Sequence, residues 1–336
     1  MRKPNAADVA RAAGVSPATV DRVLNGRGSV SSEKEKRVLD WARRLGLDRN
    51  LKARPTRMVR IGVLMGSPSN PFYEGLRQGF TRANRLFFAA NVQSSVNFFN
   101  PFNPREAVER IERMAENSDA LIIVSAEHPE LRDALREFAR RRPVLAMVTD
   151  LPDSGRLAYV GLDNTAAGRV AGDLMARLIG PSGGDVVIVT DMQTMLALRE
   201  RERGFRSVLA ERHPQCRLIE VIETRDEGER AGELIREAII RRPGIVGIYT
   251  VSTGNRAIAS VLDALGRGLS TIMITHELTP ARRVLLKRGF IDAIIDQHPD
   301  LEAQTAVEVL AHHFGRLESP PTRLTTPFTI FFRENC

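Results

Sequence analysis

The feature of this sequence that most constrains its fold is a regular alternation of short apolar runs with helical stretches, which begins at Val59. Continuous apolar strands that alternate with helices are typical of parallel sheets covered by helices on both faces. A chain with about ten strands favours two sheets over one, and we expect the division near residues 162–165. The apolar runs lie at 60–65, 120–125, 143–148, 185–190, 244–251, 270–275 and 292–296.

The first fifty residues follow a different pattern, which predicts three short helices. Asn5 can cap the first helix, and Gly14 ends it. Ser16 can cap the second helix, and either Ser31 or Ser32 can cap the third. Two helices joined by a tight turn, with a third helix closing the core, form a helix-turn-helix unit.

The net charge of +8 is concentrated in the same segment. Residues 1–60 contain 15 Lys and Arg against 6 Asp and Glu, a balance of +9, whereas the rest contains 34 against 35, a balance of −1. A basic segment attached to a neutral body indicates a polyanion-binding module on a domain with another role. A basic tail that only improves solubility is the alternative interpretation.

The second helix and its flanks contain two kinds of candidate DNA contact. Some side chains could reach base edges in the major groove, and others could hydrogen-bond to phosphates. The base-reading candidates are Pro17, Ala18, Asp21 and Arg22. The phosphate-binding candidates are Ser16, Thr19, Asn25 and Arg27.

Several other classes of protein find no support in the sequence. Two cysteines, Cys216 and Cys336, are too few for a disulfide framework. No apolar run approaches the roughly 18 residues that span a bilayer, and no apolar run of a secretory signal follows the basic N-terminus. We therefore expect a cytoplasmic protein. His312 and His313 would point about 100° apart on a helix, and we expect no metal site, no cofactor and no catalytic residues.

The segment from Asp8 to Asn25 resembles the start of the LacI/GalR family of bacterial transcription regulators. Members begin with D-V-A-x-x-A-G-V-S-x-x-T-V-x-R-V-L-N and continue as a periplasmic-binding-protein-like effector domain. The similarity extends over essentially the whole chain and is closest to the branch that resembles ribose-type sugar-binding proteins. The implied domains are a helix-turn-helix domain at 1–48, a linker or hinge at 49–58, and an effector and dimerisation domain at 59–336. Its subdomains would comprise about 59–163 with 298–320, and about 164–297 with 321–336.

The resemblance also implies an effector pocket between the two subdomains. SNPFYEGLRQGF, at 69–80, is similar to the N-P-F-F loop that follows the first strand in the family. It implies that Asn70 bonds a sugar hydroxyl, while Phe72 and Tyr73 line or stack on the ligand. A helix start capped by Asn70, with aromatic residues in the core, would produce the same local sequence.

Two later segments imply further pocket residues. LRERERGF, at 198–205, is similar to the A-R-x-R-x-x-G-F segment of the family, which makes Arg199 the pocket arginine. IDQHPDLEA is similar to the segment in which a glutamine follows the last strand of the second subdomain, so Gln297 would contact ligand. The alternating charges around Arg201 and Arg203 otherwise indicate a solvated helix face.

The chain departs from the family pattern at several effector positions. The usual Asp-Arg, Asn-Asp and Phe-Asp pairs are absent, so other polar residues at these loops would have to replace them. A glutamate reaches farther than an aspartate and a histidine can donate, which suggests a ligand smaller or differently hydroxylated than ribose. The candidates at these loops, and at the end of the ALIIVS run, are Ser125, Asp150, Thr253, Asn255, His276 and Glu277.

The sequence therefore predicts a DNA-binding transcription regulator, a repressor of carbohydrate-related genes. A sugar-like effector between two lobes would change the operator affinity of a homodimer, and no coiled coil follows Phe332 to form a larger assembly. One alternative is a corepressor-type regulator that binds a purine or another non-sugar. Another is a sugar-binding protein or sugar-processing enzyme with a fortuitous basic head. LKARPTRM contains Pro55 and lacks the leucines of the hinge helix typical of the family, so these residues do not predict DNA kinking by such a helix.

Overall fold

The computed structural model describes residues 4–25, 30–47, 57–251 and 253–336. They form a small helical head followed by two lobes, each of which is built on a mainly parallel sheet. This confirms the predicted fold class. Arg27 and most of the predicted linker, including the residues that would form a hinge helix, lie outside the described residues.

The head is a three-helix unit whose boundaries follow from local sequence. Asn5 caps the first helix in a capping box, and Gly14 ends it in the left-handed conformation, with φ 62°. One fully buried valine from each helix, Val9, Val20 and Val38, contributes to the core of the head. The helices are α1 (Ala6–Ala13), α2 (Pro17–Leu24) and α3 (Ser32–Arg44).

The first lobe contains a five-stranded parallel sheet in the order β2-β1-β3-β4-β5. Helices α4 and α12 pack on one face, and α5 and α6 pack on the other. The strands are β1 (Val59–Met65), β2 (Val92–Phe98), β3 (Ala120–Ile123), β4 (Val144–Met147) and β5 (Ala158–Val160). The helices are α4 (Pro71–Leu86), α5 (Pro104–Asn117), α6 (Pro129–Ala139) and α12 (Pro299–His313).

The second lobe contains a six-stranded sheet in the order β11-β10-β9-β8-β6-β7, in which only β11 is antiparallel to its neighbour. Helices α7 and α8 cover one face, and α9, α10 and α11 cover the other. The strands are β6 (Gly184–Thr190), β7 (Cys216–Glu223), β8 (Ile245–Thr250), β9 (Ile272–His276), β10 (Ala293–Asp296) and β11 (Thr329–Phe331). The helices are α7 (Asn164–Ile179), α8 (Leu196–Arg212), α9 (Gly228–Arg241), α10 (Asn255–Ala264) and α11 (Pro280–Arg288).

The chain passes between the lobes at three places: after β5, after β10, and after α12. Helix α12 therefore belongs by packing to the first lobe, although it follows the strands of the second. None of the helices that the structure describes is both long and apolar enough to cross a membrane.

The head contacts the first lobe through a buried ion pair. Arg316, just beyond α12, donates through Nη1 to Glu35 Oε1 of α3 at 2.9 Å and through Nη2 to the carbonyl of Arg57 at 2.9 Å. The Arg316 and Glu35 side chains are only 1% and 9% exposed. Removing either partner would leave a charge buried without compensation, so this contact restrains the position of the head.

Candidate functional site

A cleft lies between the lobes, where the carboxyl ends of the strands face each other, the usual ligand site of open α/β sheets. It contains about 670 Å³ of space unoccupied by protein atoms, measured out to open solvent. The first lobe lines it with Asn70, Phe72, Tyr73, Pro101, Phe102 and Val148. The polar residues from the second lobe are Asp191, Arg201, Asp226, Thr253, Glu277, Arg282 and Gln297.

The loop after β1 supplies one wall of the cleft. Asn70 Oδ1 accepts from the backbone N–H of Phe72 at 3.0 Å, which caps α4, while its Nδ2 donates to Asp226 Oδ1 of the opposite lobe at 3.2 Å. The rings of Phe72 and Tyr73 lie 5.6 Å apart between centroids. Asn70 thus serves as a helix cap and also joins the two walls of the cleft.

A buried arginine organises the opposite wall. Arg201 is 2% exposed, and its Nε donates to Asn164 Oδ1 at 2.8 Å. Its Nη2 donates to Gln297 Oε1 at 3.1 Å, and its Nη1 lies 3.8 Å from Glu277 Oε1. Gln297 Nε2 in turn donates to Glu277 Oε1 at 2.8 Å. These bonds fix the direction of the side chains that face the cleft.

The structure places Arg201, and not the predicted Arg199, in the cleft. The Arg199 side chain is 47% exposed and lies 3.4 Å from Glu127 Oε2, outside the cleft lining. Residues two positions apart on an α-helix point about 200° apart, so Arg199 and Arg201 cannot share a face. A signal was present in the sequence: Arg201 follows Leu198 by three residues and precedes Phe205 by four, which is the spacing of a buried helix face.

Glu277 lines the cleft, whereas the predicted neighbours Asn255 and His276 lie behind it. Arg282 Nη1 donates to Glu277 Oε2 at 2.9 Å. The Asn255 amide oxygen, in the orientation that satisfies both ends of the amide, accepts from Arg282 Nε at 2.9 Å. His276 is fully buried with Nε2 2.6 Å from the Tyr249 hydroxyl, and burial, with nearby arginines, lowers its pKa. His276 is therefore neutral and supports the wall from inside.

Ser125 and Asp150, also predicted, do not line the cleft. Ser125 is buried, and its hydroxyl donates to the carbonyl of Ala126 at 3.1 Å. The Asp150 carboxylate turns to the Arg156 guanidinium, whose Nη2 donates to its Oδ2 at 2.6 Å. Val148 occupies the cleft wall in this loop, so the prediction misjudged the register by two residues.

Two carboxylates that sequence reasoning missed complete the cleft. Asp191 Oδ1 accepts from Thr224 Oγ1 at 3.0 Å and from the backbone N–H of Thr253 at 3.4 Å. Asp226 Oδ1 accepts from Thr253 Oγ1 at 3.2 Å. Burial, and secondarily the charge of Asp226, raises the pKa of Asp191 to about 7, and burial also raises the pKa of Asp226. The position of Asp191 directly after β6 was the signal available in the sequence.

No metal site accompanies these carboxylates in the part of the chain that the structure describes. No group of three or more His, Cys, Asp or Glu side chains there could hold a metal ion.

Helix α2 presents most of the candidate DNA contacts to solvent. Ser16 Oγ accepts from the backbone N–H of Thr19 at 3.2 Å, and Asn25 Nδ2 donates to Asp21 Oδ1 at 2.6 Å. Arg22 has no ion pair with any other described residue. Thr19 is half-buried. The exposed candidates are Ser16, Pro17, Ala18, Asp21, Arg22 and Asn25.

Two family models match the chain, one over the head and one over the two lobes. The model of a periplasmic binding protein domain matches residues 61–316, and that of bacterial regulatory proteins of the lacI family matches residues 6–50. Catabolite control protein A of Priestia megaterium is 25% identical over 341 residues, covering 98% of each chain. The sucrose operon repressor of Pediococcus pentosaceus is 38% identical over 96 residues, which cover 27% of this chain and 28% of that one.

Among solved structures, the body resembles a solute-binding protein of an ABC transporter from Burkholderia graminis in complex with D-arabinose. The TM-score is 0.76 at 24% identity, over 82% of this chain and 96% of that one. At this level of identity the likeness shows the fold, in which two lobes enclose a cleft.

Proposed function

We propose that this chain, which belongs to the lacI family of bacterial regulatory proteins and contains a periplasmic binding protein domain, is a sugar-responsive repressor. Helix α2 reads operator DNA, and a sugar-like effector in the cleft changes the affinity for that DNA. The protein acts in the cytoplasm as a homodimer, because one such head makes too few contacts for a specific site and a dimer reads two half-sites. We propose no enzymatic activity for this protein.

The observation that carries the DNA-binding role is the exposed Arg22 on α2. Its guanidinium has no ion pair among the described residues, and two small exposed residues, Pro17 and Ala18, begin the same helix. An arginine fork can bind the O6 and N7 acceptors of guanine, and small apolar groups allow a helix to approach a thymine methyl. Asp21 accepts a hydrogen bond from Asn25 and is therefore less suited to reading bases.

The DNA-binding role can be tested on the full chain by selecting its operator from random duplex DNA. Replacing Arg22 with Ala should cost roughly 1–3 kcal/mol, relax the preference at one base pair and reduce the salt slope. Arg22→Lys is the matched control, since it keeps the charge and the salt slope but loses the fork. Full specificity in Arg22→Ala would contradict the assignment, and failure of the wild type to select any sequence would contradict the regulatory role itself.

The effector role rests on the composition of the cleft. Aromatic rings suit the C–H faces of a sugar, and fixed amide, carboxylate and guanidinium groups suit its hydroxyls. The sucrose operon repressor and the D-arabinose complex among the similar proteins support the same class of ligand.

A thermal-shift screen of sugars, polyols and sugar acids tests this role, because a ligand at 100 times its Kd should stabilise the protein by about 2.7 kcal/mol. Purines in the same screen, with operator titration in the presence of each hit, separate an inducer from a corepressor.

Helix α12 connects the cleft to the head. It begins two residues after Gln297, which faces the cleft, and ends three residues before Arg316, which binds Glu35 of the head. Because α12 packs in the first lobe, the contact at Arg316 would carry the head with that lobe when the lobes move about the crossover before α12. We infer that ligand changes the spacing of the two heads through this contact.

The inferred coupling predicts that Arg316→Ala reduces the ratio of operator affinities measured with and without ligand. Arg323→Ala is the matched control, because Arg323 is an exposed arginine in the segment that follows. Glu35→Gln removes the same ion pair from the head side while preserving side-chain volume. An unchanged affinity ratio in both Arg316→Ala and Glu35→Gln would exclude this route, and circular dichroism would confirm that both variants fold.

A further inference from the structure

The charged groups that line the cleft do not balance. Among the described lining residues they comprise three carboxylates, Asp191, Asp226 and Glu277, and two guanidiniums, Arg201 and Arg282. Glu277 lies 2.9 Å from Arg282 and 3.8 Å from Arg201, so both cations are already engaged with the same carboxylate. Neither Asp191 nor Asp226 forms an ion pair with any residue in the described ranges.

The two unbalanced carboxylates converge on one side of the cleft. Thr253 contacts both of them, with its backbone N–H 3.4 Å from Asp191 and its Oγ1 3.2 Å from Asp226. The remaining hydrogen-bond donors to the pair among the described residues are the Thr224 hydroxyl and the Asn70 amide, which are neutral. Mutual repulsion in a partly desolvated site is unfavourable, and it contributes to the raised pKa of Asp191.

A tyrosine from the opposite lobe faces the same region. Tyr73 is 7% exposed and lines the cleft, yet its hydroxyl forms no hydrogen bond with the residues that the structure describes. Burial, then the charges of Asp226 and Asp191, raises the pKa of Tyr73, which therefore stays protonated with its oxygen able to accept. An unpartnered phenol in a buried wall is an open position for a ligand group.

A ligand group that donates several hydrogen bonds and carries a positive charge would satisfy this region. Two carboxylates and a phenol oxygen present acceptors, and a ligand hydroxyl can donate only one hydrogen to them. A primary ammonium donates three hydrogens and carries the missing positive charge. A metal ion is a poor alternative, because the described residues contain no group of three or more ligands that could hold one.

We propose that the effector is a polyhydroxylated primary amine, such as an amino sugar, whose ammonium binds between Asp191, Asp226 and Tyr73. This rests on the proposed function, because it specifies the class of sugar-like ligand in the same cleft. The hydroxyls of the ligand face the network of Arg201 and Gln297. Because Tyr73 belongs to the first lobe and both aspartates to the second, the ammonium bridges the lobes and favours the closed cleft.

The test is calorimetric titration of the full chain with matched pairs of sugars that differ only in the amine: glucosamine and glucose, galactosamine and galactose, mannosamine and mannose. At least one amino sugar should bind about tenfold or more tightly than its neutral partner, the expected worth of a hydrogen-bonded charge. Asp191→Asn and Asp226→Asn should each reduce this preference to within about twofold.

The neighbouring Glu227→Gln is the matched control, because Glu227 carries the same charge with a side chain 63% exposed and outside the cleft lining. It should leave the preference for the amine unchanged. Tyr73→Phe keeps the ring and removes only the hydroxyl, and should weaken amino-sugar binding about threefold or more. This variant provides a second readout should an aspartate variant fail to fold.

The outcomes separate this inference from the function on which it rests. Neutral sugars that bind as tightly as their amino partners, or a preference that survives both aspartate substitutions, would overturn the amine assignment and leave a sugar effector standing. Failure of every member of all three pairs to bind would count against the sugar effector and against the amine assignment with it.

Discussion

The two walls of the cleft differ in chemistry. Among the described lining residues, the first lobe supplies aromatic rings, a proline, a valine and one amide, and no charged side chain. The second lobe supplies all five of the charged side chains that line the cleft in the described ranges. The first wall therefore offers shape and stacking surface, whereas the second offers directed charge, and a ligand receives both only when the lobes close.

The charged wall is also the wall attached to the crossovers between the lobes. Arg201 binds Asn164, which begins α7 after the first crossover, and Gln297, which precedes the crossover into α12. A ligand that contacts this network acts at the places where the lobes are connected. This difference suggests that charge recognition controls the conformation and that the aromatic wall controls fit.

The largest expected effect comes from Arg201→Ala. It removes a buried cation and leaves Asn164 and Gln297 without their donor, which should lower the free energy of unfolding by about 3–5 kcal/mol. Arg199→Ala on the same helix removes an exposed arginine and should cost less than about 1 kcal/mol. Urea denaturation measures both, and equal losses would contradict the assignment of Arg201 as the organiser of the charged wall.

The aromatic wall can be disturbed through the glycine behind it. A Cβ at Gly66 would clash with the Tyr73 ring and would force the ring to move. Gly66→Ala should therefore cost about 1–3 kcal/mol by overpacking and weaken ligand binding. At Gly75 a Cβ meets only the edge of the Pro299 ring, at 3.3 Å, so Gly75→Ala should stay within about 1 kcal/mol of the wild type. Thermal denaturation with and without ligand compares the two, and tight binding by Gly66→Ala would show that the ring position is unimportant.

A further expected effect concerns the pH dependence of the charged wall, where Asp226 and Arg282 act on Asp191 and the protonated Tyr73 lies nearby. Burial first, and then Asp226, raises the pKa of Asp191 to about 7, while Arg282 opposes the rise. The unfolded chain releases this proton near pH 3.9, at about the ordinary pKa. Between these values the folded state binds more protons, so this group makes the free energy of unfolding fall as pH rises from about 4 to 7.

Asp191→Asn removes this contribution, so its stability relative to the wild type should increase as pH rises through this range. Urea denaturation at several pH values between 4 and 8 measures the difference. A difference that is constant, or that changes in the opposite direction, would contradict the raised pKa.

The strands show which parts of the fold could be predicted from the sequence. The apolar runs predicted the seven central strands, such as β3 with ALII and β4 with VLAM, which are buried along their whole length. The four strands that the runs did not predict are β2, β5, β7 and β11, and each lies at the edge of its sheet. An edge strand such as β2, with VQSSVNF, is only partly covered, so it does not need the continuous apolar sequence of a central strand.

The sequence by itself determined the capped helices of the head, the central strands, and the loops that approach the cleft, because caps and apolar periodicity are local properties. It also led to Asn70, Tyr73, Glu277 and Gln297, which lie at loop positions directly after strands or at a helix start. Only the tertiary structure decided which charged side chains would meet.

Asp191 and Asp226 are 35 positions apart in the chain, and Arg201 meets Gln297 across 96. Their chemistry depends on burial and on partners brought together by the packing of two lobes. No local pattern encodes that packing.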